Sequence, residues 1–159
     1  MPDVLARIAQ PKVVVGLAAV TSAMFHRRPG VGARMLVAVP LTLAASNVLK
    51  RLDPEQRPRL WDRHPRESFP SSHSSAVTAY ALSLVDSFAA WWALPVAGAA
   101  IAAVNVARVR AREHWCSDVL CGDLIGLAGA AAGALVARAW LRRRRGRDRE
   151  SRIIDSKAD

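Results

Sequence analysis

The chain has 159 residues, a formal net charge of +10, 52% apolar side chains and 23% charged ones. That length fits one domain, and so high an apolar content excludes a disordered or fibrous protein. The apolar residues are gathered into long stretches nearly free of charge between short Arg-rich segments, whereas a soluble helical bundle needs polar outer faces.

Five stretches, roughly residues 13–25, 33–49, 75–92, 94–107 and 117–141, have the composition of membrane-crossing helices. About 17 residues at 1.5 Å rise span ~26 Å, near the thin end of a hydrocarbon core. The expected fold is therefore all-α, a polytopic transmembrane bundle of five to six helices, with residues 1–141 as the membrane domain. The first stretch is short, held between Lys12 and His26, and Pro11 stands in the way of extending it back to Val4. It lacks the small-residue cleavage pattern of a signal peptide, being followed by His26, Arg27, Arg28 and Pro29. The third and fourth stretches form one apolar run from Ser74 to Ala107, broken by Asp86 alone. Trp91, Trp92 and Pro95 mark its reversal, because indole rings favour the headgroup zone and proline helps to end a helix. Asp86 demands a partner, since a lone carboxylate in hydrocarbon is expensive. In the last stretch Gly122, Gly126, Gly129 and Gly133 fall near helical spacing, which lets neighbouring helices approach closely. Cys116 and Cys121 fit no CxxC pattern and read as free thiols.

Residues 138–159 carry nine basic and four acidic side chains. They read as a stop-transfer flank on anionic headgroups, with a basic, disordered cytoplasmic tail expected over 142–159. No aromatic side chain interrupts the run from Arg142 to Arg149, so nucleic acid is not an expected partner. Five alternating helices put segments 50–74 and 108–116 on one membrane face and residues 26–32, the Trp91/Trp92 reversal and the tail on the other. The arginines of the tail mark that second face as cytoplasmic and leave the first outside it.

Three clusters at helix boundaries share the first face: KRLDPEQRP at 50–58, FPSSH at 69–73 and ARVRAREHWCSD at 107–118. A phosphate ester needs what they contain. Its transferred phosphoryl group spreads negative charge over three equatorial oxygens, which Lys50, Arg57 and Arg108 can clamp without a metal. Ser71 and Ser72 stand where the third helix should begin, so hydroxyls and free backbone N–H groups there can hold a phosphate oxygen. His114 and Asp118 are four apart, one helical turn, so the carboxylate can take the Nδ1 proton and turn Nε2 outward as a nucleophile. His73, beside the serines, is placed to protonate the leaving group and then activate water. Each piece alone has a bland reading: solvated cations, a helix cap, a surface contact. Their conjunction in order on one face is what carries the functional one. His64 and His26 read as incidental, and Asn47 and Asn105 as ties between helices.

These clusters together resemble the type-2 phosphatidic acid phosphatase superfamily, the lipid phosphate phosphatases. Lys50, Arg57 and Pro58 match that family's Lys, six residues, Arg-Pro. Pro70, Ser71 and His73 match its Pro-Ser-Gly-His, with Ser72 at the glycine; Arg108, His114 and Asp118 match its third motif at the right spacing, with Ala107 at the serine. The similarity covers roughly residues 33–135. It implies a metal-independent, cofactor-free phosphatase of about six helices with its site at the outer membrane face. It also implies His114 as nucleophile, Asp118 as its orienting partner, His73 as general acid, and Lys50, Arg57 and Arg108 on phosphate. The chain is short for the family, so a reduced interfacial helix is expected around residues 1–12.

The expected substrate is a lipid phosphate, with polyprenyl phosphates, diphosphates or a polyprenyl-phosphoryl sugar phosphate favoured over phosphatidate or phosphatidylglycerophosphate. The expected setting is a bacterial inner membrane, consistent with the Ala- and Arg-rich composition, and the partners are that substrate and membrane lipids. Two other readings stand beside it: a vanadate-dependent haloperoxidase-like anion site, and a non-catalytic lipid-binding membrane protein.

Overall fold

A computed structural model describes residues 9–53, 58, 68–88 and 91–158, and among these the regular structure is helical throughout. Five helices follow one another: α1 (Pro11–Met24), α2 (Pro29–Leu52), α3 (Ser72–Phe88), α4 (Ala93–Arg110) and α5 (Cys116–Ala158). Residues 1–8, where a reduced helix was expected to begin, lie outside the described residues.

Both α1 and α2 start on a proline, whose fixed φ suits the first helical position and whose missing N–H is one the helix would leave unpaired anyway. The Trp91/Trp92 reversal falls where the sequence placed it, as a turn between α3 and α4. Pro95 does not break the run, however; it sits in the first turn of α4, where proline is tolerated. Residues 142–158, expected to belong to a disordered tail, instead continue α5 as helix. Arg and Glu are good helix formers, and Asp148 lies one turn from Arg144.

Among the described residues three helices are long and apolar enough to cross a membrane: α2 over Gly30–Leu52, α4, and α5 over Cys116–Glu150. The third expected span proves different in character. With 17 residues, α3 is rich in hydroxyls, and Ser74, Ser75, Thr78 and Ser83 are buried against its neighbours. It is enclosed by the other helices, so its polar groups meet protein. The outward faces of α4 and α5 carry Leu94, Val96, Leu120, Leu124, Leu127 and Leu135, a surface suited to lipid.

At the centre α2, α3 and α5 pack on one another; α1 lies on α2 and α3, and α4 leans on α3 with only light contact to α5. The glycine stripe explains the closeness. A Cβ on Gly122 would stand 2.6 Å from the Ser71 carbonyl oxygen, and one on Gly126 2.6 Å from that of Ser75. Gly133 does the same for α2 at the Arg34 carbonyl. The stripe is thus a groove into which two helix backbones sink, as the spacing predicted.

The apolar core joins Val14 and Ala18 of α1 to Val31, Met35 and Val39 of α2 and to Ala76 and Ala79 of α3. Hydroxyl pairs add direction: Thr21 Oγ1 lies 2.9 Å from the Tyr80 hydroxyl, and Ser46 Oγ 2.9 Å from Ser75 Oγ. Asp86 has the partner its position demanded, the Arg34 guanidinium at 2.6 Å, joining α2 to α3. Cys116 and Cys121 are both free.

Candidate active site

The end of α2, the start of α3, the end of α4 and the start of α5 lie at one end of the bundle. Ser46 and Ser75, bonded across α2 and α3, set the level. One turn further on stand Lys50 and Ser71. Lys50 is half-buried in the last turn of α2. Arg57 and His64 lie outside the described residues.

Ser71 caps α3. Its Oγ accepts from the Ser74 N–H at 3.4 Å and from the Ser74 hydroxyl at 3.1 Å, the hydrogen bonds that favour serine before a helix. Its own N–H donates to the Asp118 carbonyl oxygen at 3.1 Å, which fastens the start of α3 to the first turn of α5. Ser71 is fully buried, and its hydroxyl proton is not consumed by those contacts. Ser72 and His73 follow in the first helical turn, both half-buried, where backbone N–H groups point out of the helix end.

Between α4 and α5 the chain turns in five residues. Arg112 takes φ 54°, a left-handed conformation, and the Glu113 N–H returns to the Arg108 carbonyl oxygen at 3.2 Å. That turn brings His114 over the start of α5, where it is 2% exposed. Its Nδ1 lies 3.2 Å from Asp118 Oδ2, the pairing that the four-residue spacing predicted. The same oxygen accepts from the Trp115 N–H at 2.9 Å and, very closely, from the Ser68 hydroxyl. The Ser68 hydroxyl and the Trp115 N–H both donate to that oxygen, and a proton on His114 Nδ1 would make a third bond to it and leave the ring's lone pair on Nε2.

The His73 and His114 rings face each other with centroids 6.5 Å apart and planes inclined by 57°. Arg108, in the last turn of α4, is 5% exposed and its guanidinium forms a close ion pair with Glu113. The structure therefore draws together His73, His114, Asp118 and Ser71, with Ser72 and Arg108 in the adjoining helix turns and Lys50 at the same end. His26 is exposed at the opposite end, its Nδ1 near the Ala23 carbonyl oxygen.

Residues 31–145 match the model of the PAP2 superfamily. The chain belongs to that family. No curated protein and no solved structure matches it. Members of the PAP2 superfamily are phosphatases, so this PAP2 protein carries phosphatase-type chemistry, that of a phosphoric ester hydrolase. The match begins in α2 and ends in α5, so α1 stands outside it.

Sequence reasoning missed two residues at this candidate site of the PAP2 chain. Ser68 precedes the second motif, and nothing in its spacing announces a bond to Asp118 fifty positions away. Glu113 was visible as the acid beside His114, and its place five residues after Arg108 was the available signal. Ser68→Ala removes the hydroxyl donor to the Asp118 carboxylate. A charge-assisted hydrogen bond of this kind is worth about 1.4 kcal/mol or more, so turnover should fall about tenfold. Steady-state phosphate release checks this, with KM expected to change less than twofold.

Proposed function

We propose that the protein is an integral-membrane lipid phosphate phosphatase working through a phosphohistidine and needing no metal. What carries the reading is the buried His114–Asp118 pair facing His73 across 6.5 Å. A tetrahedral phosphoryl group held about 3 Å from each reacting nitrogen fits between two imidazoles so spaced.

His114 Nε2 attacks phosphorus while the bond to the lipid-side oxygen breaks, and His73, protonated, gives its proton to that oxygen. The P–N bond so formed splits one hard displacement into two easier ones. His73, now neutral, takes a proton from water as the water oxygen attacks phosphorus. The P–N bond then breaks, orthophosphate leaves and His114 regains its lone pair. Asp118 holds the imidazole in the attacking tautomer throughout and stabilises its charge. Lys50, Arg57 and Arg108 bind the equatorial oxygens, and the Ser71 and Ser72 hydroxyls with the Ser72 N–H complete the cradle.

The substrate belongs to the membrane because the site stands at the end of helices whose outward faces are apolar. Polyprenyl phosphates or diphosphates, or a polyprenyl-phosphoryl sugar phosphate, are favoured; phosphatidate and phosphatidylglycerophosphate are the other members of the class. The arginines after Trp140 support a cytoplasmic end there, so the chemistry faces away from the cytoplasm of a bacterial inner membrane.

The test is phosphate release from a panel of lipid phosphates in detergent with EDTA present. Turnover that survives EDTA and is inhibited by vanadate, a mimic of the pentacoordinate phosphorus, is the expected result. Loss of activity on chelation, or none on any lipid phosphate, would overturn the proposal.

A further inference from the structure

One carboxylate takes no part in that chemistry. Asp123 lies within the apolar part of α5, five residues beyond Asp118, where an ionisable side chain needs a reason. It accepts from the Thr78 hydroxyl at 2.7 Å and from the Asn105 amide at 2.6 Å, and so joins α3, α4 and α5 at one point. Both partners are neutral donors rather than a cation. The junction is tight on the α3 side, where a Cβ on Gly126 would meet Thr78 Cβ at 2.7 Å. On the α4 side it is the reverse: α4 touches α5 lightly, and Asn105 reaches across. Asn105 stands three residues, under one turn, before Arg108.

We infer that the Thr78–Asp123–Asn105 junction positions Arg108 for the phosphate, by fixing the rotation and height of the last turn of α4 against α5, which carries Asp118. The inference rests on the reading of Arg108 as a phosphate clamp. Asp123 and Asn105 are positioning residues, and their effect passes through the guanidinium. The junction works by hydrogen-bond geometry. Asn in place of Asp123 offers its oxygen to Asn105 and its amide to the Thr78 hydroxyl, which can accept, so both bonds survive without the charge.

The test is a double-mutant cycle on the full chain in detergent, reading kcat/KM for lipid phosphate and inhibition by vanadate. D123A and N105A are each expected to lower kcat/KM and weaken vanadate inhibition by about 10- to 100-fold, the range for a misplaced binding group. D123N should stay within about threefold of wild type, and D123A in the R108A background should lose less than about threefold more, as residues acting through one group are not additive. Full loss from D123A on top of R108A, or a D123N enzyme as poor as D123A, overturns the inference while the phosphatase reading stands. An R108A enzyme with wild-type turnover would instead remove the clamp assignment, and the positioning role with it.

Discussion

Replacing His114 by alanine is expected to lower turnover by about 10⁴-fold or more, the scale set by deleting a nucleophile whose partners remain in place. Asp118 keeps its bonds to Ser68 and the Trp115 N–H in the variant, so the first turn of α5 should hold. The cations are untouched, so KM should move only a few-fold. The loss would therefore fall on kcat, the mark of an interaction made in the transition state. Wild-type enzyme quenched during turnover of labelled lipid phosphate should retain acid-labile, base-stable label on protein, and the variant none. More than a tenth of wild-type turnover in His114→Ala would exclude His114 as the nucleophile.

Gly122→Ala should damage both stability and activity, because its added methyl group falls where α5 meets the start of α3 at the candidate site. Its Cβ would meet the Ser71 carbonyl at 2.6 Å, Ser74 Cβ at 3.1 Å and the Ser75 nitrogen at 3.3 Å. Two of these are backbone atoms of α3, so no side-chain rotation relieves the clash. Overpacking of this kind costs about 1–3 kcal/mol. The shift also pulls on the Ser71 N–H bond to the Asp118 carbonyl, which ties the two halves of the site. Thermal unfolding in detergent should show a lowered midpoint, and phosphate release should fall at least tenfold even where the protein stays folded. Gly98→Ala is the control: nothing lies within 4 Å of that position, and alanine is the better helix former. A Gly122→Ala protein as stable and active as Gly98→Ala would show that α3 and α5 do not meet as closely as described.

Most of the site was legible in the sequence because its chemistry is tied to spacing along single elements. A histidine and an aspartate four apart face each other on a helix start, and Ser71 ahead of an apolar run is a cap; both hold here. The glycine stripe was legible for the same reason. What depends on contact between distant segments was not. Ser68 reaches Asp118 from another loop, and Thr78, Asn105 and Asp123 meet from three helices. Asn105 was expected to tie helices, but its partner was not foreseen. The character of α3 was also misjudged. Apolar residues count equally in a window whether they face lipid or protein, and only packing reveals that its hydroxyls point inward. The helical course of residues 142–158 was missed because a charge run was weighed as a solvated tail and its helix-forming residues were not.

The length of α5 has a mechanical consequence. Its 43 residues make one rod of about 64 Å, and Asp118 stands about 36 Å up that rod from Arg142. Notched by glycines, it is seated against both α2 and α3. The basic turns, where Arg144 lies over the Trp140 ring, and the carboxylate paired with His114 therefore share one continuous backbone.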